Sequence, residues 1–189
     1  MHATLCDFIS DIVQNSIEAG STVIHLQIDE DADSIRFSVA DNGKGMDAVV
    51  LRKACDPFYT DGEKHHRRRV GLGIPFLIQA AEATGGSFAI ESKPGRGTFV
   101  NASFMLKHVD CPPVGDVSGT LMALMSYTGT FELEVNRSIS VAANRDSYQV
   151  SKTELVEALG ELQSSGSLNL LKQFLQSQET ALVEIKNHA

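Results

Sequence analysis

Tryptophan is absent from this sequence of 189 residues, cysteine occurs only three times, and no hydrophobic run reaches the roughly 20 residues of a membrane span. Cys6, Cys55 and Cys111 are far apart and lack the paired spacing of a zinc site or a disulfide framework. The first residues also lack the basic and then apolar pattern of a signal peptide. We therefore expect a cytoplasmic protein with no membrane segment, in a compartment that keeps thiols reduced.

Basic residues are also scarce, with 16 lysines and arginines against 24 acidic residues and a formal net charge of −8. No basic stripe with interleaved aromatic residues is present, so neither nucleic acid nor an anionic membrane is expected as a partner. The Walker pattern GxxxxGK[ST] is missing as well, which excludes the common P-loop route to nucleotide binding. Hydrophobic residues make up 42% of the chain, enough for one packed domain with an extension or for two small domains.

The first regular pattern is an amphipathic helix from Leu5 to Ile17. Its apolar face is formed by Leu5, Phe8, Ile9, Ile12, Val13 and Ile17. The polar face carries Asp7, Asp11, Asn15 and Glu18 at steps of three or four, so these side chains point in one direction. Residues 23–39 then alternate between apolar and polar side chains, which predicts a β-hairpin with one buried face. The second strand leads directly into Asp41–Met46, which reads DNGKGM.

Glycine-rich segments divide the middle of the chain. A short helix is predicted at 47–54, followed by a non-periodic loop at 57–70 with a basic cluster at 64–69. Gly71-Leu72-Gly73 opens another predicted helix, which ends near Thr84. Strands are predicted at 87–91 and 98–106, joined by a turn that reads Pro94-Gly95-Arg96-Gly97.

Cys111-Pro112-Pro113 breaks the pattern and predicts a boundary between a first domain, 1–109, and an extension, 110–189. The extension is predicted to contain a helix at 116–127, a hairpin at 131–150 with its turn at 144–146, a capping box at 151–154 and a last helix at 168–185. We expect this α-β-β-α unit to pack on the first domain or to bind a partner. Its acidic excess is either a solvated face or a docking surface for a basic partner.

Four separated pieces share one explanation: the helix carrying Asp11 and Asn15, the DNGKG strand end, the Gly71-Leu72-Gly73 loop, and Gly97-Thr98 at the start of a strand. In this order and spacing they resemble the N, G1, G2 and G3 boxes of the GHKL ATPases, which include gyrases, heat-shock chaperones, histidine kinases and MutL proteins. The N box is similar to the MutL form, whereas the Gly71–Gly73 and Gly95–Thr98 segments resemble those of histidine kinases. The resemblance covers Leu5 to Leu106 and implies a mixed α/β (α+β) fold, the two-layer sandwich of Bergerat type.

Physical chemistry gives these residue types separate roles. A strand-end aspartate, Asp41, accepts a hydrogen bond from the exocyclic amine of adenine, while Gly43 and Gly45 let the backbone approach the flat base. Asn15 offers a neutral oxygen ligand to Mg²⁺. The Gly71–Gly73 loop and the following helix N-terminus suit phosphates. Together with the resemblance, this assigns the nucleotide to Asn15, Asp41, Gly43, Gly45, Met46, Lys64, Gly71, Leu72, Gly73 and Thr98. Lys64 is expected to contact phosphate, although a solvated charge run is the alternative.

Asp11 is the candidate general base. The resemblance implies that the family members that hydrolyse ATP carry a glutamate at this position. This chain has an aspartate there, whose side chain is shorter by one methylene. Because proton abstraction depends on reach, we expect hydrolysis to be slow if it occurs. The sequence thus favours a stand-alone Mg·ATP-binding protein, leaning towards an enzyme with slow hydrolysis or phosphoryl transfer. A kinase acting in trans, and a nucleotide-gated interaction module without turnover, remain the alternatives, and a homodimer is left open.

Overall fold

A computed structural model describes residues 3–58, 72–142 and 144–187 of the protein. Within these ranges the helices are α1 (Leu5–Glu18), α2 (Ala48–Cys55), α3 (Gly73–Ala83), α4 (Val117–Met125), α5 (Lys152–Leu159) and α6 (Ser165–Asn187). The strands are β1 (Val23–Asp31), β2 (Ser34–Asp41), β3 (Ser87–Lys93), β4 (Gly97–Met105), β5 (Glu132–Val141) and β6 (Asn144–Ser151). The described part of the chain contains no helix long and apolar enough to cross a membrane.

Helix α1 forms because its N-terminal capping box and its apolar face begin at the same place in the sequence. The Thr4 side chain accepts from the amide of Asp7, and the Asp7 carboxylate accepts from the amide of Thr4 at 2.9 Å, which completes a capping box. The predicted apolar face is buried from Leu5 to Val13. Its polar face is left facing outwards, with Asn15 exposed and Asp11 partly buried. The predicted helix is confirmed.

The six strands form one sheet in the order β3-β4-β2-β1-β5-β6. All neighbours are antiparallel except β1 and β5, which pair in parallel with Ile24 opposite Leu133. The hairpin of the C-terminal extension therefore continues the sheet past β1 instead of forming a sheet of its own. Within the described residues, the extension thus contributes β5 and β6 to the same sheet as β1–β4.

The hydrophobic core lies between the sheet and the helices. Alternating side chains of β1, such as Ile24, Leu26 and Ile28, are at most 1% exposed and face α1, while His25 on the opposite face is exposed. Phe37 of β2 and Phe104 of β4 stack with 6.3 Å between their ring centroids. The predicted mixed α/β fold, a sheet flanked by helices, is confirmed.

A buried charge network joins α6 to the sheet. The Arg137 guanidinium, on β5, pairs with Glu30 of β1 and donates to the carbonyl of Ser138 at 3.0 Å. Its Nε lies 3.5 Å from the Glu179 carboxylate of α6, and Lys186 of α6 also pairs with Glu30. The Tyr148 hydroxyl donates to the Glu179 carboxylate at 2.6 Å. Burial is the main cause that raises the pKa of Tyr148 well above its ordinary value, and the negative charge of Glu179 raises it further.

One predicted turn in the extension is wrong. Asn144, Arg145 and Asp146 are turn-favouring in sequence, yet they lie in β6, which begins at Asn144 with that residue paired to Val141. Ala142, just before the strand, has a φ of 54°. β6 is an edge strand and these three side chains are exposed, so burial does not penalise their polarity. The last helix also begins three residues earlier than predicted, at Ser165.

Candidate functional site

The Asp41 carboxylate, at the end of β2, accepts hydrogen bonds from four separate parts of the chain. Oδ1 accepts from the amide of Gly43 at 2.8 Å, the hydroxyl of Ser21 at 3.1 Å and the amide of Thr98 at 3.3 Å. Oδ2 accepts from the hydroxyl of Ser16 at 2.8 Å. Each carboxylate oxygen has two lone pairs, so the three donors at Oδ1 share its two acceptor positions, whereas Oδ2 receives a single donor. Among the described residues, Oδ2 thus keeps one position for a further donor.

The turn that follows Asp41 is held by its neighbours on both sides. The Asn42 side chain accepts from the amides of Thr22 and Val23 at 2.9 and 3.0 Å. Beyond it, the amide of Lys44 donates to the carbonyl of Ala19 at 3.1 Å, and the amide of Gly95 donates to the carbonyl of Lys44 at 2.8 Å. The DNGKG segment is therefore fastened between the end of α1 and the β3–β4 turn.

Two glycines make this close packing feasible. Gly45 has a φ of 63°, and a Cβ on it would lie 2.0 Å from the carbonyl oxygen of Lys93. Gly97 has a φ of 91°, and a Cβ there would lie 1.8 Å from the carbonyl oxygen of Asp41. Any other residue would be strained at these left-handed conformations and would separate the two segments.

Thr98 and Met46 meet through a serine that the sequence analysis did not select. The amide of Met46 donates to Ser92 Oγ at 2.8 Å, and Ser92 Oγ donates to the carbonyl of Gly97 at 3.0 Å. The same oxygen lies 3.0 Å from the hydroxyl of Thr98. Asp41, Gly43, Gly45, Met46 and Thr98 are therefore brought together in one hydrogen-bonded cluster.

Ser16 and Ser21 are further residues that sequence reasoning missed. Ser16 is 3% exposed, between the apolar positions of α1, and its hydroxyl also lies 3.2 Å from the carbonyl of Ile12. A polar residue inside an apolar helix face needs a hydrogen-bond partner. That requirement is the signal that could have identified Ser16, although it would not have indicated Asp41 as the partner.

The second half of the predicted site lies where α1 meets α3. Asp11 is close to Gly73, the first residue of α3, since a Cβ on Gly73 would lie 1.8 Å from Asp11 Oδ2. The N-cap residue of α3 is Leu72, which makes no side-chain capping hydrogen bond. Asp11 and Ser16 thus connect one helix to both halves: Asp11 contacts the start of α3, and Ser16 contacts Asp41.

Asn15 lies one turn after Asp11 and next to Ser16, on the exposed side of α1. Its position on the helix lies between the residue that contacts Gly73 and the residue that contacts Asp41. Lys64 and Gly71 fall outside the described residues, as does most of the predicted loop at 57–70. The ten predicted nucleotide residues therefore divide into the Asp41 cluster, Asn15, the Leu72–Gly73 helix start and two residues without a described position.

Comparison with known proteins places the N-terminal part of the chain in one family. Residues 2–108 match the model for the histidine kinase-, DNA gyrase B-, and HSP90-like ATPase family. This range includes every residue of the Asp41 cluster and the Asp11–Gly73 contact. It ends before α4, so the C-terminal extension is not part of the match.

Several curated kinases are similar to this chain over about half of its length or more. The sensor protein kinase FleS of Pseudomonas aeruginosa is 33% identical over 116 residues, which are 60% of this chain and 27% of FleS. Sporulation kinase A of Bacillus subtilis is 32% identical over 100 residues, 51% of this chain and 16% of that kinase. The sensor kinase CckA of Brucella abortus is 29% identical over 126 residues, 59% of this chain and 13% of CckA. The chain thus spans about a quarter or less of these relatives.

A solved structure supports the fold across the extension as well. The crystal structure of the N-terminal domain of a DNA repair protein matches with a TM-score of 0.58 and 14% identity, covering 88% of this chain and 59% of that one. At this identity the likeness concerns the fold alone. The sequence match, by contrast, supports ATP as the ligand of residues 2–108. This chain belongs to the histidine kinase-, DNA gyrase B-, and HSP90-like ATPase family.

Proposed function

We propose that the protein binds Mg·ATP between the end of β2 and the facing ends of α1 and α3, and that it passes on the γ-phosphoryl group slowly. The observation that carries this proposal is the Asp41 carboxylate, held by four donors while Oδ2 keeps an acceptor position. That position fits the exocyclic amine of adenine, which is a donor, and does not fit the carbonyl that guanine carries at the same place.

The same cluster would support the base and the sugar side of the nucleotide. Gly43 and Gly45 keep the backbone next to Asp41 free of side chains, and Gly43 is buried against Ser21. Met46 and Thr98 are joined to this backbone through Ser92. We propose that these residues form the wall of the base pocket, with Asp41 as the group that selects adenine.

The phosphates are assigned to the start of α3. Leu72 and Gly73 present backbone amides at a helix N-terminus, which favours anions through its partial positive charge. Gly71 and Lys64 of the preceding segment are proposed to complete the phosphate contacts. The side-chain oxygen of Asn15 is a suitable hard ligand for Mg²⁺, whose other positions would be filled by phosphate oxygens and water. A bound Mg²⁺ would neutralise the phosphate charge during transfer of the γ-phosphoryl group.

Asp11 is proposed as the group that orients water for slow hydrolysis. It lies on the same helix as Asn15, and its Oδ2 is close to the backbone of Gly73, where the phosphates are assigned. A carboxylate at this place is able to accept a proton from an attacking water. Because aspartate is a methylene shorter than glutamate, we propose that turnover is slow.

Transfer to a separate protein is the second candidate function. It is favoured by the kinases among the relatives, FleS, CckA and sporulation kinase A, which are 29–33% identical to this chain over 51–60% of its length. In this alternative the chain is a kinase acting in trans on a partner. The C-terminal extension, which carries β5 and β6, is the proposed surface for a protein partner or for a second copy of the chain.

The proposed setting is the cytoplasm, where ATP is available and thiols are kept reduced. Cys6, Cys55 and Cys111 are all unpaired. Burial raises the pKa of the Cys6 thiol to about 11, so this group stays protonated and unreactive at neutral pH. Unpaired and protonated thiols support a reducing compartment.

Nucleotide titration with the whole chain tests the proposal. Isothermal calorimetry and thermal shift with Mg·ATP, Mg·ADP and Mg·GTP should show binding of both adenine nucleotides and weaker binding of GTP. Release of labelled phosphate then measures hydrolysis, and labelling of candidate partner proteins measures transfer. Tight ATP binding with neither release nor transfer would favour a nucleotide-gated interaction module instead. Absence of any ATP binding would refute the proposed function.

The magnesium assignment has its own test. In Asn15→Ala the amide oxygen is lost, and ATP affinity should no longer rise when Mg²⁺ replaces EDTA in the calorimeter. Asn15 is exposed, so the substitution should leave the thermal midpoint within about 1–2 °C, as surface changes of up to roughly 0.5 kcal/mol do. Gln14→Ala, at the neighbouring position of α1, is the control. An Asn15→Ala protein that keeps the full magnesium effect would exclude Asn15 as the ligand.

A further inference from the structure

Ser92 of β3 lies next to the residue that connects β4 to Asp41. Its side chain lies opposite Thr98 in the β3–β4 pair, on the face of the sheet that carries the buried Val100. Helix α3 packs on these two strands, so the Ser92 hydroxyl lies on the helix-facing side of the sheet. Thr98 in turn donates its amide to the Asp41 carboxylate at 3.3 Å. A single residue therefore separates Ser92 from the carboxylate assigned to adenine.

Counting donors and acceptors determines the direction of the hydrogen bonds at Ser92. A serine hydroxyl has one hydrogen to donate and two lone pairs with which to accept. Ser92 Oγ accepts from the Met46 amide at 2.8 Å. It also lies 3.0 Å from the Gly97 carbonyl oxygen and 3.0 Å from Thr98 Oγ1. Because a carbonyl only accepts, all three bonds form together only when Ser92 donates to Gly97 and Thr98 donates to Ser92.

This arrangement determines what the Thr98 hydroxyl offers to a ligand. Its hydrogen is used on Ser92, whereas both lone pairs of its oxygen stay open within the described part of the chain. Thr98 Oγ1 is thus an acceptor on the residue whose amide binds Asp41, and Asp41 Oδ2 is an acceptor as well. The wall assigned to the base therefore presents acceptors from both residues.

We infer that Ser92 is a positioning residue for adenine recognition, which holds the Thr98 hydroxyl as an acceptor and so strengthens selection for a base that carries an amine. The inference rests on the proposed function, since it takes Asp41 and Thr98 as the wall of the base pocket. The adenine amine has two hydrogens, and one of them is assigned to Asp41. Thr98 accepts the second, directly or through a water molecule. A base with a carbonyl at that place meets acceptors from both residues.

Inosine triphosphate (ITP) is the suitable probe, because it has the charge and shape of ATP but carries a carbonyl in place of the amine. In Ser92→Ala the Thr98 hydrogen loses its acceptor, and the hydroxyl is free to rotate and donate to that carbonyl. The ratio of ATP affinity to ITP affinity should therefore fall roughly two- to tenfold, the effect of one hydrogen bond of ordinary strength.

Calorimetric titration of the whole chain with Mg·ATP and Mg·ITP measures this ratio in wild type, Ser92→Ala, Thr98→Val and the double variant. Thr98→Val keeps the shape of the side chain and removes the hydroxyl, so it should lower the ratio by itself. Because Ser92 acts through Thr98, adding Ser92→Ala to Thr98→Val should not lower the ratio further.

Ser103→Ala is the matched control on the same pair of strands. The Ser103 hydroxyl also accepts from a backbone amide, that of Ser87 at 2.9 Å, and lies 2.8 Å from the Ser87 hydroxyl. It is on the opposite face of the sheet from Thr98 and about 17 Å away along β4. This variant should keep the wild-type ratio of the two affinities.

Three results would overturn the inference. Ser92→Ala lowers both affinities by the same factor, as a merely structural role would; Ser92→Ala and Thr98→Val lower the ratio additively; or Ser103→Ala reproduces the effect. A failure of the proposed function is a different outcome, in which wild type binds neither nucleotide or binds both equally. If Ser92→Ala does not fold, Ser92→Cys gives the same comparison, since a thiol is similar in shape and forms only weak hydrogen bonds.

Discussion

Replacing Asp41 with asparagine changes one acceptor into a donor at the centre of the site. Three donors meet Oδ1, from Gly43, Ser21 and Thr98, so the amide oxygen should take that position. The amide nitrogen then replaces Oδ2 and faces Ser16. The Ser16 hydroxyl is able to accept from that nitrogen because it can donate to the carbonyl of Ile12 instead, 3.2 Å away. The variant should therefore fold with the same turn.

The expected loss in stability is modest and the expected loss in affinity is larger. Hydrogen bonds to a charged acceptor contribute about 1.5–3 kcal/mol each and neutral ones about 1 kcal/mol, so we expect a total cost of about 1–2 kcal/mol after relaxation. For a chain of this size the thermal midpoint should fall by roughly 2–8 °C. The adenine amine, however, would meet a second donor. Its charged hydrogen bond is lost outright, which corresponds to about a tenfold to a hundredfold weaker ATP affinity.

Guanine provides the sharper readout. It carries an acceptor where adenine carries the amine. The asparagine amide would donate to that acceptor, so the preference for ATP over GTP should shrink in Asp41→Asn. Calorimetry with both nucleotides in Mg²⁺, together with thermal unfolding of the free protein, measures all three quantities.

The matched control is Asp47→Asn. Asp47 also accepts from two backbone amides, those of Val49 and Val50 at 2.8 Å, but it caps α2 and is exposed. Asparagine is as good an N-cap as aspartate, so this variant should keep both stability and ATP affinity. Unchanged ATP affinity in Asp41→Asn would refute the assignment of Asp41 to adenine. An equal loss in both variants would show that net charge, rather than hydrogen bonding at Asp41, is responsible.

Two further predictions concern the extension. Arg137→Met removes a cation that is 2% exposed and leaves the Glu30 and Glu179 carboxylates without this partner, so the free energy of unfolding in urea should fall by about 3–5 kcal/mol. The double variant Arg137→Met/Glu30→Gln should lose less, because one of the two carboxylates is then neutral. Equal losses in the two variants would contradict the pairing. Asp116 caps α4, and the hydrogen bond that its carboxylate accepts from the Gly119 amide lowers the pKa of Asp116. The folded state thus favours the carboxylate, and the stability gained above its unfolded pKa of about 3.9 is lost as the pH falls through the folded pKa. Asp116→Ala should cost about 1 kcal/mol at pH 7 and less at pH 3, and a difference that does not vary with pH would contradict this.

The local elements of the site could be predicted from the sequence because their signals are short-range. Helix α1 has both a capping box and an apolar face of period 3.6, which agree within one turn of each other. The DNGKGM segment directly follows a strand with clear alternation, so its place at a strand end needed only a count of residues. The prediction of a turn at 144–146 was wrong because its signal, although also local, was outweighed by strand pairing. Turn preference is a weak local signal, and the register with β5 overrode it.

The sequence by itself determined which residues face the same way along each helix and strand, because backbone geometry sets those periods. It also determined the order of the polar segments that the family shares. Only the tertiary structure decided that β5 pairs in parallel with β1, since parallel neighbours need a long crossover and no local pattern specifies it. It likewise decided that Ser16, Ser21 and Thr98 meet on Asp41 and that Asp11 lies against Gly73. These contacts join residues 20 or more positions apart, and their geometry exists only after the core between sheet and helices has packed.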